Sequence, residues 1–289
     1  MLRAYANRGC SLGTLMDINS STISFRITFI DLDGLKPHEE IIEQAVRQLA
    51  KAIREENEVR DPLIVDKRSL VILDGMHRYS ALKKLGCQRA PVCLVEYDDE
   101  RIGVGAWFRC FNATNPDALA AEALGALNQK YEREVIGTSE IDLKNSAIMT
   151  RLSRFQLTGE MDRLSKSQLA VKIEKYISGE GFKCEYAEDT IAQPTSKANL
   201  VIPVPIFSKT EIRETAMSGR LLPHKVTRHI IPSRPLRLDV PLDLLVSGSS
   251  EEANEKLEQL LSSRRVTLKP PGSVIDGRRY QEELLIFEA

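Results

Sequence analysis

The stretch "VILDGMHRYSALKKLG" (71–86) sets an acid, a glycine, a histidine and an arginine directly behind an apolar run: Asp74, Gly75, His77 and Arg78. A helix whose first turn follows such an Asp–Gly pair presents amides that bind phosphate, the more so beside a basic side chain. Arg78 would add a planar fork of donors and His77 one more. Asp74 would then stand beside the phosphates, where a magnesium ion needs a carboxylate. The same residues admit a plainer arrangement, with Asp74 capping the helix and His77 and Arg78 in solvent.

Two further groups carry candidate chemistry. In "LKPHEE" (35–40), His38, Glu39 and Glu40 are expected in a first helical turn opened by Pro37. Acids are favoured there by the helix dipole alone, and a carboxylate so placed could equally orient a hydroxyl and take its proton. Between 225 and 237 lie Lys225, Arg228, His229, Arg234 and Arg237 without one acid. The segment around Thr227, Arg228 and His229 could clamp phosphate or a substrate carboxylate, form a solvated face, or contribute to a DNA-binding surface. Trp107, followed by Phe108 and Phe111, belongs to a core or walls a pocket.

The elements that must position these residues follow from periodicity. "ISFRITFIDL" (23–32) alternates as a strand, and Ile42, Ala45, Val46, Leu49 and Ile53 recur at helical spacing, which predicts a helix over about 38–55. "PLIVDK" and "SLVILDG" read as paired strands, a short helix ending at Gly86 follows Gly75, and "APVCLVEY" (90–97) is the next strand. Residues 23–97 thus form a compact strand, helix, paired strands, helix, strand unit. Farther on, "NPDALAAEALGALNQKYE" and "SKSQLAVKIEKYISGEG" predict helices, "NLVIPVPIF" (199–207) a strand, "SGSSEEANEKLEQLLSSR" a helix and "ELLIFEA" a strand. Residues 1–22 have weak periodicity and are expected to be a leader or extension, 23–111 a first domain, and 112–289 a second α/β domain carrying the basic 220–237 segment.

Composition narrows the classes. A formal charge of -1, from 40 lysines and arginines against 41 acids, points to no nucleic-acid or membrane partner, so any electrostatic site must be local. The five cysteines show no metal-ligand spacing and read as free thiols in a reducing compartment. With neither an 18-residue apolar run nor a signal-peptide pattern, the expected location is the cytoplasm.

"ILDGMHRYSALKKLG" resembles the signature of the ParB/sulfiredoxin-like nucleotide-binding fold. "LDGLKPHEE" and "LLPHKVTRHIIPSRPLRLDVPLDLL" are similar to the corresponding parts of the free serine kinases of that superfamily, in the same order along the chain. The resemblance implies an α+β fold: a ParB/sulfiredoxin-like N-terminal α/β nucleotide-binding unit with a second mixed α/β domain. It implies phosphoryl transfer from ADP or ATP, with Mg²⁺, to the hydroxyl of free L-serine. Glu39 falls on the family's catalytic glutamate, and Asp74 on the acid near the transferred phosphate and the metal. Asp74, Gly75, Met76, His77 and Arg78 match the phosphate-binding turn. His38, Trp107, Lys225, Thr227, Arg228 and His229 fall on the substrate side. The implied partners are L-serine and nucleotide, with a homodimer left open. Met76 and Tyr79 depart from the archaeal pattern, which has histidine and tryptophan there. The competing classes are a ParB-like DNA-binding or regulatory protein, which would leave Glu39 without work, and a kinase of another hydroxyl compound.

Overall fold

A computed structural model of the chain describes residues 16–19, 23–135, 146–189 and 198–288. Its contacts divide the chain into two units. The first comprises 1–103, 209–221 and 229–289, and the second 104–208 and 222–228. This differs from the 23–111 and 112–289 division expected from sequence. The basic segment changes unit at 228/229, and the C-terminal strands and helix return to the first unit.

The first unit begins with β1 (Met16–Asn19), β2 (Ser24–Asp31), α1 (Glu43–Glu56), β3 (Leu63–Asp66), β4 (Ile72–Asp74), α2 (Met76–Lys84) and β5 (Arg89–Val95). The strands form a sheet in the order β1-β2-β5-β3-β4. Only β3 and β5 run parallel, joined by the crossover through β4 and α2. The others pair antiparallel, which leaves β4 on an edge. β3 is buried along its whole length, as expected of a strand covered on both faces. α1 lays Val46, Ala50 and Ile53 inward and packs on α2. The expected leader supplies β1; apart from 16–19, residues 1–22, Cys10 included, lie outside the described residues.

α1 begins at Glu43, not near 38. Residues 35–42 instead run beside β4, where the Lys36 amide donates to the Leu70 carbonyl and the Ile72 amide to the Lys36 carbonyl, both at 2.9 Å. Those backbone groups are committed to a strand edge and cannot close a helical turn at Pro37, so His38, Glu39 and Glu40 lie in extended chain.

The second unit contains β6 (Trp107–Phe111), α3 (Pro116–Ala126), β7 (Tyr131–Val135), β8 (Ser146–Thr150), β9 (Ser153–Leu157), α4 (Arg163–Gly179), β10 (Glu185–Glu188) and β11 (Leu200–Ile202). Its sheet has the order β10-β6-β11-β8-β9-β7. Asn115 caps α3 and Asp162 caps α4, each side chain accepting from an amide three residues on. The strand expected over 199–207 stops at Ile202, because Pro203 and Pro205 have no N–H to continue a ladder.

The chain re-enters the first unit with α5 (Lys209–Met217), β12 (Arg234–Leu236), α6 (Ser250–Ser262), β13 (Arg265–Lys269) and β14 (Leu284–Glu288). β14 lies between β12 and β13. Asn254 fixes α6 to β2: its Oδ1 accepts from the Thr28 hydroxyl at 2.8 Å and the Phe29 amide at 2.9 Å.

Two glycines bracket α2. Gly86 sits at φ +77 past the helix, with Cys87 N–H bonded to the Leu82 carbonyl and Gly86 N–H to the Lys83 carbonyl, a Schellman ending. Gly75 sits at φ +101, and a Cβ there would come within 2.6 Å of Cδ2 of buried Leu63. Gly86→Ala should therefore cost only the left-handed strain, about 1 kcal/mol. Gly75→Ala should cost about 2–4 kcal/mol, because strain and overpacking add. Urea unfolding of the two variants checks the difference; equal losses would refute it.

Candidate active site

The first unit gathers eight of the expected site residues around the end of β4: His38, Glu39, Asp74, Gly75, Met76, His77, Arg78 and His229. The first intrahelical bond of α2 runs from the Tyr79 amide to the Gly75 carbonyl at 2.8 Å, so the amides of 76–78 lie outside the helical ladder, at the positive end of the dipole. Met76 is buried, and Arg78 lies against the Gly75 turn. The Arg78 guanidinium is not in open solvent: Nη1 donates to the Pro62 carbonyl at 2.8 Å and Nη2 lies 3.8 Å from Asp61.

Asp74 does not cap α2, which has Gly75 as its N-cap and no side-chain cap bond. Its Oδ2 lies 3.3 Å from Nη1 of Arg234, a guanidinium only 2% exposed, while the Asp74 side chain keeps 34% of its surface. Nε of Arg234 donates to Glu282 Oε1 at 2.8 Å, and Nη2 to the His229 carbonyl at 2.7 Å. A carboxylate held from behind and a third exposed in front fits a magnesium site in which nucleotide phosphates and water supply the other ligands. A site built from protein alone is not the alternative, since no group of three or more His, Cys, Asp or Glu side chains converges among the described residues.

Glu39 is half-buried on the segment beside β4, and that segment is fixed by two histidines. Nδ1 of His38 donates to the Ile72 carbonyl at 2.6 Å, since a carbonyl can only accept. Nε2 of His77 accepts from the Ile42 amide at 3.0 Å, which ties the far end of the segment to α2. His77 therefore anchors the loop that carries Glu39, whatever its other nitrogen contacts. His38 and His229 meet edge-on with centroids 5.6 Å apart, and both are buried. Burial pulls His38 below its ordinary 6.5, only partly offset by Glu39, the Ile72 carbonyl and Asp74. His229 is pulled lower still, by burial and then by neighbouring His38. Burial pushes the Tyr97 hydroxyl up, so it stays protonated and donates to His229 Nε2 at 2.8 Å.

The remaining expected residues, Trp107, Lys225, Thr227 and Arg228, belong to the second unit. Nζ of Lys225 lies 5.5 Å and Cζ of Arg228 5.7 Å from the Trp107 ring centroid. Arg228 is buried and paired with Glu188 at 3.2 Å and Asp189 at 3.6 Å, so its charge is largely balanced within the unit. Thr227 is buried beside it. The turn at 224–225 is held from below by Arg109, fully buried, which donates to the His224 and Lys225 carbonyls and to Glu174. Burial would raise the Glu174 carboxyl, but bonds from His224 and Tyr186 and the Arg109 charge bring it down to about 2.

Sequence reasoning noted Arg234 only as one base among five, and missed Tyr97, Asp61 and Glu282. No local pattern marks these residues, because each reaches its partner from a distant part of the chain.

The buried neutral histidines make stability pH-dependent. Each is lowered in the folded state, so the unfolded chain binds more protons below 6.5. Stability should be complete above about 6.5 and fall as pH drops, by up to ~1.4 kcal/mol per pH unit for each histidine. Unfolding in urea between neutral and acid pH should show this slope, and His229→Asn should flatten it. An unchanged slope in that variant would contradict the assignment.

Comparison with known proteins agrees with the geometry. Residues 17–104 match the ParB N-terminal domain. The chain is 26% identical over 243 residues to the ADP-dependent L-serine kinase SerK of Thermococcus kodakarensis, covering 79% of this chain and 96% of that one. It is 28% identical over 237 residues to the ATP-dependent L-serine kinase of Staphylothermus marinus, covering 75% and 90%. The solved structure of SbnI with C-terminal truncation, from Staphylococcus aureus, superposes with a TM-score of 0.64 at 21% identity, over 82% of this chain and 95% of that one. The strand–Asp–Gly–helix junction lies within the ParB-type domain, and along nearly the whole length of these relatives the chain is similar to free L-serine kinases related to ParB-like proteins.

Proposed function

We propose that the protein transfers a phosphoryl group from ADP or ATP to the hydroxyl of free L-serine, giving O-phospho-L-serine. The observation that carries this is the placement of the Glu39 segment alongside the strand that ends in Asp74, in a chain similar to L-serine kinases over most of its length. The donor remains either diphosphate or triphosphate, since those relatives are one ADP-dependent and one ATP-dependent.

The first-turn amides of α2 and Arg78 would receive the phosphates. Magnesium, held by Asp74 and the phosphates, would supply neutralisation of the charge that builds on the transferring group. Glu39 orients the serine hydroxyl and takes its proton. His38, neutral and hydrogen-bonded to the Ile72 carbonyl, keeps the Glu39 segment in place without adding a cation beside the carboxylate. Serine recognition by Trp107, Lys225, Thr227, Arg228 and His229 rests on the family resemblance.

Mass-spectrometric detection of phosphoserine, with L-serine, Mg²⁺ and either nucleotide, tests the activity. Glu39→Gln should lower turnover by about 10²–10⁴-fold, while nucleotide binding by calorimetry stays within about twofold. Full turnover in that variant would remove Glu39 from the mechanism. Nucleotide binding without any product from the unaltered protein would favour the ParB-like regulatory reading.

A further inference from the structure

The C-terminal segment supplies a charge that the proposed chemistry has not used. Glu282 is buried, and it bonds Nε of Arg234, whose Nη1 faces Asp74 and whose Nη2 is spent on the His229 carbonyl. With three partners on three nitrogens the guanidinium cannot swing. The backbone on either side is pinned as well: the Arg234 amide donates to the Glu283 carbonyl at 3.1 Å and the Ser233 hydroxyl to Glu283 Oε1 at 2.6 Å. The nearby Arg78 has its own counter-ion in Asp61.

We propose that Arg234 and Glu282 are positioning residues for Asp74: Arg234 fixes the carboxylate, and Glu282 sets how much negative charge it keeps for a metal–nucleotide. This rests on the reading of Asp74 as the metal-side acid. One guanidinium shared by two carboxylates leaves the trio with one net negative charge, and Asp74 is its exposed member. Were Glu282 uncharged, the whole of the Arg234 charge would fall on Asp74. The carboxylate would then be neutralised from behind and would hold a divalent cation poorly.

Glu282→Gln keeps the size and the hydrogen bond while removing the charge. Calorimetry with ADP alone, and with Mn²⁺ added to the ADP complex, reads the two effects separately. Expected is metal-free ADP affinity equal to or tighter than that of the unaltered protein, with Mn²⁺ affinity about tenfold weaker. Glu282→Asp should return Mn²⁺ affinity to within about threefold. The double variant Arg234→Met with Glu282→Met removes both buried charges, a replacement that interiors tolerate. It should recover Mn²⁺ affinity to within about threefold, yet leave phosphoserine turnover low, because Asp74 has lost its support. Unchanged Mn²⁺ affinity in Glu282→Gln would overturn the proposal. So would parallel losses of Mn²⁺ and metal-free ADP, or a double variant as weak as Glu282→Gln. Failure of the kinase reading is distinguishable, since it would appear as absent phosphoserine in the unaltered protein, whereas the Mn²⁺ titrations judge the pair on their own.

Discussion

An edge strand has backbone groups that no neighbouring strand will pair, and β4 is such a strand. The protein satisfies them with unlike partners. The Ile72 amide goes to the Lys36 carbonyl and the Ile72 carbonyl to His38. Covering the edge in this way lays the segment that carries Glu39 alongside the strand that ends in Asp74. Glu39 and Asp74 come to the same edge of the sheet because an unpaired strand edge had to be closed, and the side chain that closes it at Ile72 is an imidazole, which can donate to a carbonyl while remaining uncharged.

Neutrality matters for the same reason. A protonated His38 would bury a cation beside the β4 edge, and burial opposes it. Arg234, a buried cation in contact with Asp74, arrives with a second carboxylate. The second unit follows a similar rule, with Arg109 matched by Glu174 and Arg228 by Glu188 and Asp189. Removing one member of such a pair typically costs about 3–5 kcal/mol, because the other charge is left buried. A chain of near-zero net charge can thus hold strong local fields without a charged surface to announce them.

The local elements of the first unit were legible because strands and short helices there obey their own periodicities and end on residues that must end them. Gly75 and Gly86 mark the two ends of α2 in sequence as in space. The start of α1 was not legible. Pro37 followed by acids satisfies every local rule for a helix N-terminus, and a tertiary bond from Lys36 to the strand overrides them. The extent of the strand after Asn199 was misjudged for the opposite reason, an apolar run outweighing the two prolines within it.

Readable in the chain alone were the strand–turn–helix junction at Asp74 and Gly75, the family resemblance, and the identity of the acids and bases offered for chemistry. These follow from local rules: a left-handed turn with no room for a Cβ needs glycine, and a helix start offers amides. It took the folded chain to show that Asp74 is held by Arg234, itself paired with Glu282, instead of capping its helix, that His38 and His77 brace the Glu39 segment, and that Arg228 is balanced by its own carboxylates. Each depends on residues tens to hundreds of positions apart meeting in a dry interior. There the cost of an unmatched charge or an unpaired carbonyl selects the partner, and nothing in the spacing of the chain encodes that cost.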